Sequence, residues 1–300
     1  MYRARSVLSR LWSVVPGPIS DQQGEPADAP LVTGAESAPP AAPEPPAPPS
    51  ATTGRIDLAN QLWGEGFLLP GGRAEAERLA SLLPLSPATT LLLVGLDGGG
   101  IADLVVRARG AWVSVHQHDP VLAAQAAQRL RPLGRRAAVQ TWNPAAPAFR
   151  TRFHHHAMAI EALRQVTDAA PLLAAIAAAL KPGGQIVLVD LVAEQPEACP
   201  RRWLELEGRV TPPPVAAALE EVIQQAGFVI HVTEDAGARQ SAAVLEAWSR
   251  LLHALTGTGR ARGMAEALVT EAETWLLRQR LMASGTVRLL RWHASLTAQG

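Results

Sequence analysis

Apolar and polar positions alternate between two regimes along most of the chain. Short, nearly continuous apolar runs occupy Thr90–Val94, Trp112–His116, Ala138–Thr141, His155–Ile160 and Gln185–Leu191. Their length, between glycine, proline and polar breaks, is that of buried strands. Between them, apolar residues three and four apart predict helices over Ile101–Arg109, Pro120–Leu130 and Ala170–Leu180, the last running into "KPGG", a stop of proline and glycine. An earlier helix is predicted over residues 71–83, where Ala76, Leu79, Ala80 and Leu83 share one face, preceded by a short helix and the turn "WGEGFLLPGG". Strands alternating with helices at this spacing imply right-handed crossovers and a parallel sheet covered on both faces. After residue 200 the pattern continues with a helix over Pro214–Ala226 ended by Gly227, the strand "FVIHVTED", two long helical patterns over Ser241–Leu255 and Ala261–Ala283, and a last strand, "TVRLLRWHASL". The expected fold class is α/β: a doubly wound, seven-stranded, mostly parallel sheet with a helical insert before the last strand. Such an insert covers the carboxyl edge of the sheet, where ligands of open α/β sheets sit.

The first 53 residues follow neither regime. Residues 1–15 place Arg3, Arg5 and Arg10 beside Val7, Leu8, Leu11, Trp12, Val14 and Val15 with no acid among them, the pattern of a basic amphipathic helix able to make peripheral contact with a membrane or a protein partner. Residues 16–53 have no basic residue and include "PPAAPEPPAPPS". Too little apolar surface offsets their ordering entropy, so a disordered, semi-stiff Pro/Ala-rich tether is expected. Residues 54–300 form the expected folded domain, beginning near Arg55.

Composition narrows the function. Apolar residues make up 48% of the chain, enough for a sizeable core, and the formal charge is zero. No global field draws the chain to nucleic acid, and basic charge is almost all arginine, Lys181 being the one lysine. Cys199 is the single cysteine, which excludes an intramolecular disulfide and a thiolate metal cluster and makes a reducing, cytoplasmic setting the expectation. No apolar run has the length of a membrane span.

The chemistry concentrates after the first strand, in "LVGLDGGG". Gly95, Gly98, Gly99 and Gly100 suit a turn whose backbone approaches a ligand closely. Read as a dinucleotide fingerprint, the turn has Asp97 at the second glycine, where a carboxylate would face the pyrophosphate, which disfavours a nicotinamide dinucleotide. The order of glycine turn, "LKPGGQIVLVDL" and "AGFVIHVTED" resembles class I S-adenosylmethionine-dependent methyltransferases, with a Rossmann-like sheet. "LWGEGFLLPGG" and "RLLRWHA" look like the phosphoethanolamine and small-amine N-methyltransferases in particular. The resemblance covers residues 55–300. It implies S-adenosylmethionine as cofactor, held by Gly95, Asp97, Gly99, Gln117, Asn143 and Trp142, and a small-molecule acceptor near Trp63, Phe67, Arg291 and His293.

Position by position, this sequence departs from that family. Leu93 stands where the family has an acid, Asp97 replaces a glycine, and Gln117 and Asn143 replace the acids that would grip the ribose and the adenine. Phe67 and Gln165 replace a tyrosine and a histidine over the transfer site. Asp97 is expected beside the ligand's methionine carboxylate, a repulsion of roughly 1–4 kcal/mol, or against its ammonium as a substitute partner. The cofactor site therefore reads as degraded and methyl transfer as doubtful; the alternative is a non-catalytic binding or scaffold module tethered through the N-terminal segment. Glu161, at the ligand-side end of the fourth strand, is the candidate catalytic acid, or else an exposed acid at a helix start. Trp63 and Trp142 either flank the ligand mouth or pack in the core. Arg291 and His293 either meet an anionic substrate or guard an edge strand. The histidines of "FHHHAM" are expected to be solvated at the amino edge of the sheet, unable to converge with His116 and His118 at the carboxyl edge, so no metal site is expected.

Overall fold

The structure, a computed structural model, describes residues 51–255 and 262–297. The basic helix expected over residues 1–15 and nearly all of the tether expected over residues 16–53 lie outside the described residues. The first helix, α1 (Ala51–Trp63), starts a few residues before Arg55. It is followed by α2 (Gly72–Ala80), β1 (Thr90–Gly95), α3 (Gly100–Arg109), β2 (Trp112–Gln117), α4 (Pro120–Leu130), β3 (Ala137–Thr141), β4 (His154–Ile160), α5 (Ala169–Ala179) and β5 (Leu180–Ala193). Next come a short α6 (Arg201–Glu207), α7 (Ala216–Gln225), β6 (Phe228–Asp235), α8 (Gly237–Leu255), α9 (Arg262–Ala283) and β7 (Val287–Leu296).

The seven strands form one sheet in the order β3-β2-β1-β4-β5-β7-β6. Strands β1 to β5 pair in parallel, while β7 runs antiparallel between β5 and β6. This is the seven-stranded, Rossmann-like fold of class I methyltransferases. β7 is thus an inner strand, and the expectation of an edge strand guarded by Arg291 and His293 is corrected: the edges are β3 and β6. The chain reverses its direction of travel across the sheet at β1, whose neighbours are β2 and β4. That places the switch point, and with it the glycine turn, at the carboxyl end of β1.

Local chemistry accounts for the boundaries. Asp119 caps α4, its carboxylate accepting from the N–H groups of Val121 and Leu122, with Pro120 in the first turn. Asp168 caps α5 in the same way through Ala170. "KPGG" is not a simple stop. Leu180 already pairs with His154, so the segment is the irregular start of β5, and the register shift between His154 and His156 absorbs the extra residues.

Two apolar clusters sandwich the sheet. One gathers Leu91, Leu93, Val113 and Val115 against α1, α2, α3 and the insert helices α8 and α9. The other gathers Leu92, Ala157, Leu188 and Trp292 against α5 and α7. Leu93 and Met158, alternating with Leu92 and Ala157, show the period of two that sends successive side chains to opposite faces. None of the described helices is long and apolar enough to cross a membrane.

Candidate functional site

Gly95 ends β1 with φ +103°, and a Cβ there would stand 2.1 Å from the carbonyl oxygen of Ile160. Only glycine lets β1 turn this tightly against β4. Beyond it, six of the seven backbone N–H groups from Leu96 to Ala102 have an acceptor within the protein. Leu96 donates to Ile160 O and Asp97 to Gly95 O; Gly98 and Gly100 both donate to Gly66 O, at 2.9 and 3.0 Å. The Asp97 carboxylate accepts from Ile101 at 2.9 Å and Ala102 at 3.4 Å.

Asp97 is fully buried. It faces neither a ligand carboxylate nor an ammonium, as the sequence suggested; it fills the anion position at the start of α3 itself, satisfying N–H groups that a helix leaves open. Burial pushes its carboxyl up to about 7, although the N–H groups of Ile101, Ala102 and Gly99 and the charge of Arg129 oppose the rise.

Gly66 belongs to "WGEG", which lies directly on the glycine turn. Its N–H donates to Asn60 Oδ1, Glu65 pairs with Arg129, and Arg129 Nε donates to Gly98 O. A Cβ on Gly100 would come within 2.7 Å of the Gly66 carbonyl carbon and 3.0 Å of the Phe67 ring. Backbone meets backbone here because neither side carries a side chain. Phe67 is buried in the core against this contact.

Gln117 is 1% exposed. Its amide donates to Gly95 O at 2.6 Å and to Asp97 O, folding back under the turn instead of out from the strand end. Asn143 is exposed, its side chain accepting from the N–H of Ala145 in a local turn. Trp142 is buried in the second apolar cluster, tilted against Phe149. Trp63 lies in the first cluster, edge-on to Trp275 at 5.4 Å, so the two tryptophans belong to opposite faces of the sheet. The sequence could not separate them, because each follows a predicted element of the right length.

Glu161 is not an exposed helix-start acid. It adopts φ 44°, a left-handed conformation uncommon for a residue with a side chain, and sits 3% exposed in a buried ionic cluster. Arg278 of α9 grips it at 2.9 and 2.5 Å and also binds Glu207 of α6 at 2.7 and 2.8 Å. Arg209 lies 3.4 Å from Asp190 of β5 and 3.7 Å from Glu161, and Arg164 lies 3.8 Å from Glu207. Three acids and three arginines balance. Burial would raise the Glu161 carboxyl, but Arg278 foremost, with Arg164 and Arg209, holds it down at about 2, so it has little capacity to take up a proton near neutral pH. Asp190, a lone charge inside the apolar run "QIVLVDLVA", was the signal in the sequence; Arg278, in "WLLRQRLM", reads like any solvent-facing arginine.

Beside this cluster a cavity of about 560 Å³ opens between α1, α2, the end of β4 and α8. Its walls include Trp63, Ile160, Val189 and Leu289, with Glu161, Gln240 and Arg239 as polar points, but none of Gly95–Gly100, Gln117 or Asn143. The Gln240 side chain is buried and its Oε1 has no partner. Arg291 is not at the cavity wall; its guanidinium binds Glu234 at 2.6 Å, in a group with Arg78 and Arg239. His293 meets His231 and the Gln185 side chain. Gln165 ends a single 3-10 turn after Glu161. Among the described residues no group of three or more His, Cys, Asp or Glu side chains could hold a metal ion.

Solved structures share this fold. Phosphoethanolamine N-methyltransferase 2 of Haemonchus contortus, in complex with phosphomonomethylethanolamine and S-adenosylhomocysteine, superposes with a TM-score of 0.70 over 83% of this chain and 58% of its own, at 19% identity. The same enzyme has been solved with S-adenosyl-L-methionine. A putative sarcosine dimethylglycine methyltransferase from Galdieria sulphuraria gives 0.69 at 13% identity, covering 81% of this chain and 98% of its own. The [4+2]-cyclase SpnF gives 0.63 at 21% identity over 84% and 98%. Among curated proteins, O-methyltransferase cnsE of Penicillium expansum is 40% identical over 82 residues, 26% of this chain and 29% of the relative. No family model matches the chain. The fold is that of the class I methyltransferases, and the chain spans 58% of the nematode enzyme and 29% of the curated relative.

Proposed function

We propose that this chain is a methyltransferase-fold protein, related to the small-amine N-methyltransferases, whose cofactor site has been closed by its own groups. It binds S-adenosylmethionine weakly and does not transfer a methyl group; what it retains is the capacity to hold a small molecule in the cavity beside Glu161. One observation carries the reading: six of the seven N–H groups from Leu96 to Ala102 are already satisfied by Ile160, Gly95, Gly66 and Asp97. A ligand carboxylate at this turn would have to displace a buried carboxylate and a backbone carbonyl. A ribose at the end of β2 would have to pull the Gln117 amide off two carbonyl oxygens. Each lost internal bond leaves a buried group to be satisfied again, at about 1–3 kcal/mol apiece. The residues present therefore do not fit the methionine and ribose ends of the cofactor. The low proton affinity of Glu161 and the replacement of titrating groups by Phe67 and Gln165 argue in the same direction against general-base chemistry.

The test is isothermal titration of the full chain with S-adenosylmethionine and S-adenosylhomocysteine. Dissociation constants weaker than about 100 μM are expected, about 3 kcal/mol poorer than a micromolar site. A value near 1 μM for wild type would overturn the proposal. Asp97→Gly alone is expected to leave affinity weak, since Gly66 O and Gln117 still occupy the turn; recovery of micromolar binding by that one change would show that the carboxylate alone closes the site.

A further inference from the structure

The connection from β3 to β4, residues 142–153, contains no helix. The face of β2 and β3 on that side therefore has only a loop beside it, and a hollow of about 470 Å³ remains there. It lies on the sheet away from the glycine turn and shares no lining residue with the cavity beside Glu161. Its charge is one-sided: Arg135, Arg136 and Arg150 line it, with the imidazoles of His116 and His154 and no aspartate or glutamate; the arginines alone carry the charge.

Two details show that these groups are arranged and not merely solvated. The arginines near the rings are held by aromatic faces: Arg150 lies 3.9 Å from the Phe153 centroid and Arg136 lies 5.1 Å from that of Trp112, while Arg136 also donates to Gly110 O. None of the three is paired with an acid among the described residues. The imidazoles are buried, His116 at 5% and His154 at 1% exposure, and the Nδ1 atom of each has no hydrogen-bond partner. Contrary to the sequence expectation, His154 is not a solvated edge histidine, and it shares this hollow with His116. An unsatisfied buried ring nitrogen is costly and rare unless a ligand or water completes it. Burial pushes both rings down to about 4, and for His154 the neighbouring His116 and Arg150 add to the effect. The hollow is a concentration of positive charge that lacks a counter-ion of its own.

We propose that this hollow binds a phosphate monoester carrying a planar ring, such as a nucleoside monophosphate. The phosphoryl oxygens are taken by Arg135, Arg136 and Arg150, the two imidazoles lie at its floor, and the ring rests on Trp112, which is 41% exposed. Guanidinium groups match phosphate oxygens in geometry and charge. The volume falls in the range of small-molecule sites, roughly 300–1,000 Å³, and exceeds what a bare inorganic anion fills.

The experiment titrates the full chain with AMP, inorganic phosphate and adenosine by calorimetry, and follows the histidine nitrogens in ¹H–¹⁵N spectra. AMP is expected to saturate with a dissociation constant below about 1 mM, phosphate to bind more weakly and adenosine not to saturate. AMP should shift the ring resonances of His116 and His154. Arg135→Gln and Arg150→Gln, both at exposed positions, should each weaken AMP about tenfold while leaving the melting temperature in place. Adenosine binding as tightly as AMP, no saturation by AMP, unmoved histidine resonances, or AMP affinity unchanged in both variants would each overturn the proposal. The hollow shares no residue with the glycine turn, so tight S-adenosylmethionine binding would leave this proposal standing, and the histidine shifts and arginine variants assign AMP binding to the hollow and not to the cofactor's adenosine position.

Discussion

Replacing Asp97 by asparagine preserves the size of the side chain and an oxygen that can accept from Ile101 N–H, but removes the charge. In the folded protein burial raises the Asp97 carboxyl from 3.8 to about 7. For an acid raised in this way, the folded state binds a proton that the unfolded state has already lost. The stability it contributes is complete below pH 3.8 and is lost as pH rises to about 7, beyond which the loss is constant. Each pH unit of that interval corresponds to about 1.36 kcal/mol, so the full loss is about 4 kcal/mol. Asp97→Asn has no such dependence. Below pH 4 the two proteins should melt within a few degrees of each other. At pH 8 the variant should be more stable, by up to about 4 kcal/mol or roughly 8–16 °C for a domain of this size. The assay is calorimetry or circular dichroism melting from pH 4 to 8 on both proteins, with the difference between the two curves as the readout. Parallel curves across that range would refute the assignment of Asp97 as a buried, ionising cap. A variant less stable at pH 8 than at pH 5, relative to wild type, would show that the charge strengthens the helix start more than burial penalises it.

Two other outcomes follow from separate features. Arg278→Met leaves Glu161 and Glu207 buried without their shared partner, and urea denaturation should show a loss of about 3–5 kcal/mol; a loss below about 1 kcal/mol would mean that the neighbouring arginines compensate fully. Arg3, Arg5 and Arg10 should give the full chain reversible binding to anionic liposomes that falls as salt rises; sedimentation unaffected by salt or by serine at Leu11 and Trp12 would remove the first 15 residues from any role at a membrane.

Much of the scaffold was legible because the strand-forming stretches are nearly continuous apolar runs, and "HDP" and "TDAA" carry their helix caps in sequence. The order of elements along the chain followed from the same residues; the inner, antiparallel place of the last strand did not. What could not be read was direction. Asp97 and Gln117 were expected to point at a ligand, and Glu161 either at a ligand or into solvent, yet each points at its own protein. Direction depends on contacts across 22 to 117 residues, such as Gln117 with Gly95 and Glu161 with Arg278. No local period encodes them. The short helix Arg201–Glu207 was missed for a related reason: seven residues with a buried Trp203 and Glu207 are too few to show a face.

The contact of Gly66 with Gly98 and Gly100 sets how this protein can change. Three parts of the chain meet at one turn: "WGEG" from above, Asp97 from within and Gln117 from below. All three bind the backbone of the turn: Gly66 O takes Gly98 and Gly100 N–H, the Asp97 carboxylate takes Ile101 and Ala102 N–H, and the Gln117 amide donates to Gly95 and Asp97 O, so removing one leaves the other two in place. No single substitution frees the turn, and only a combined set would open it.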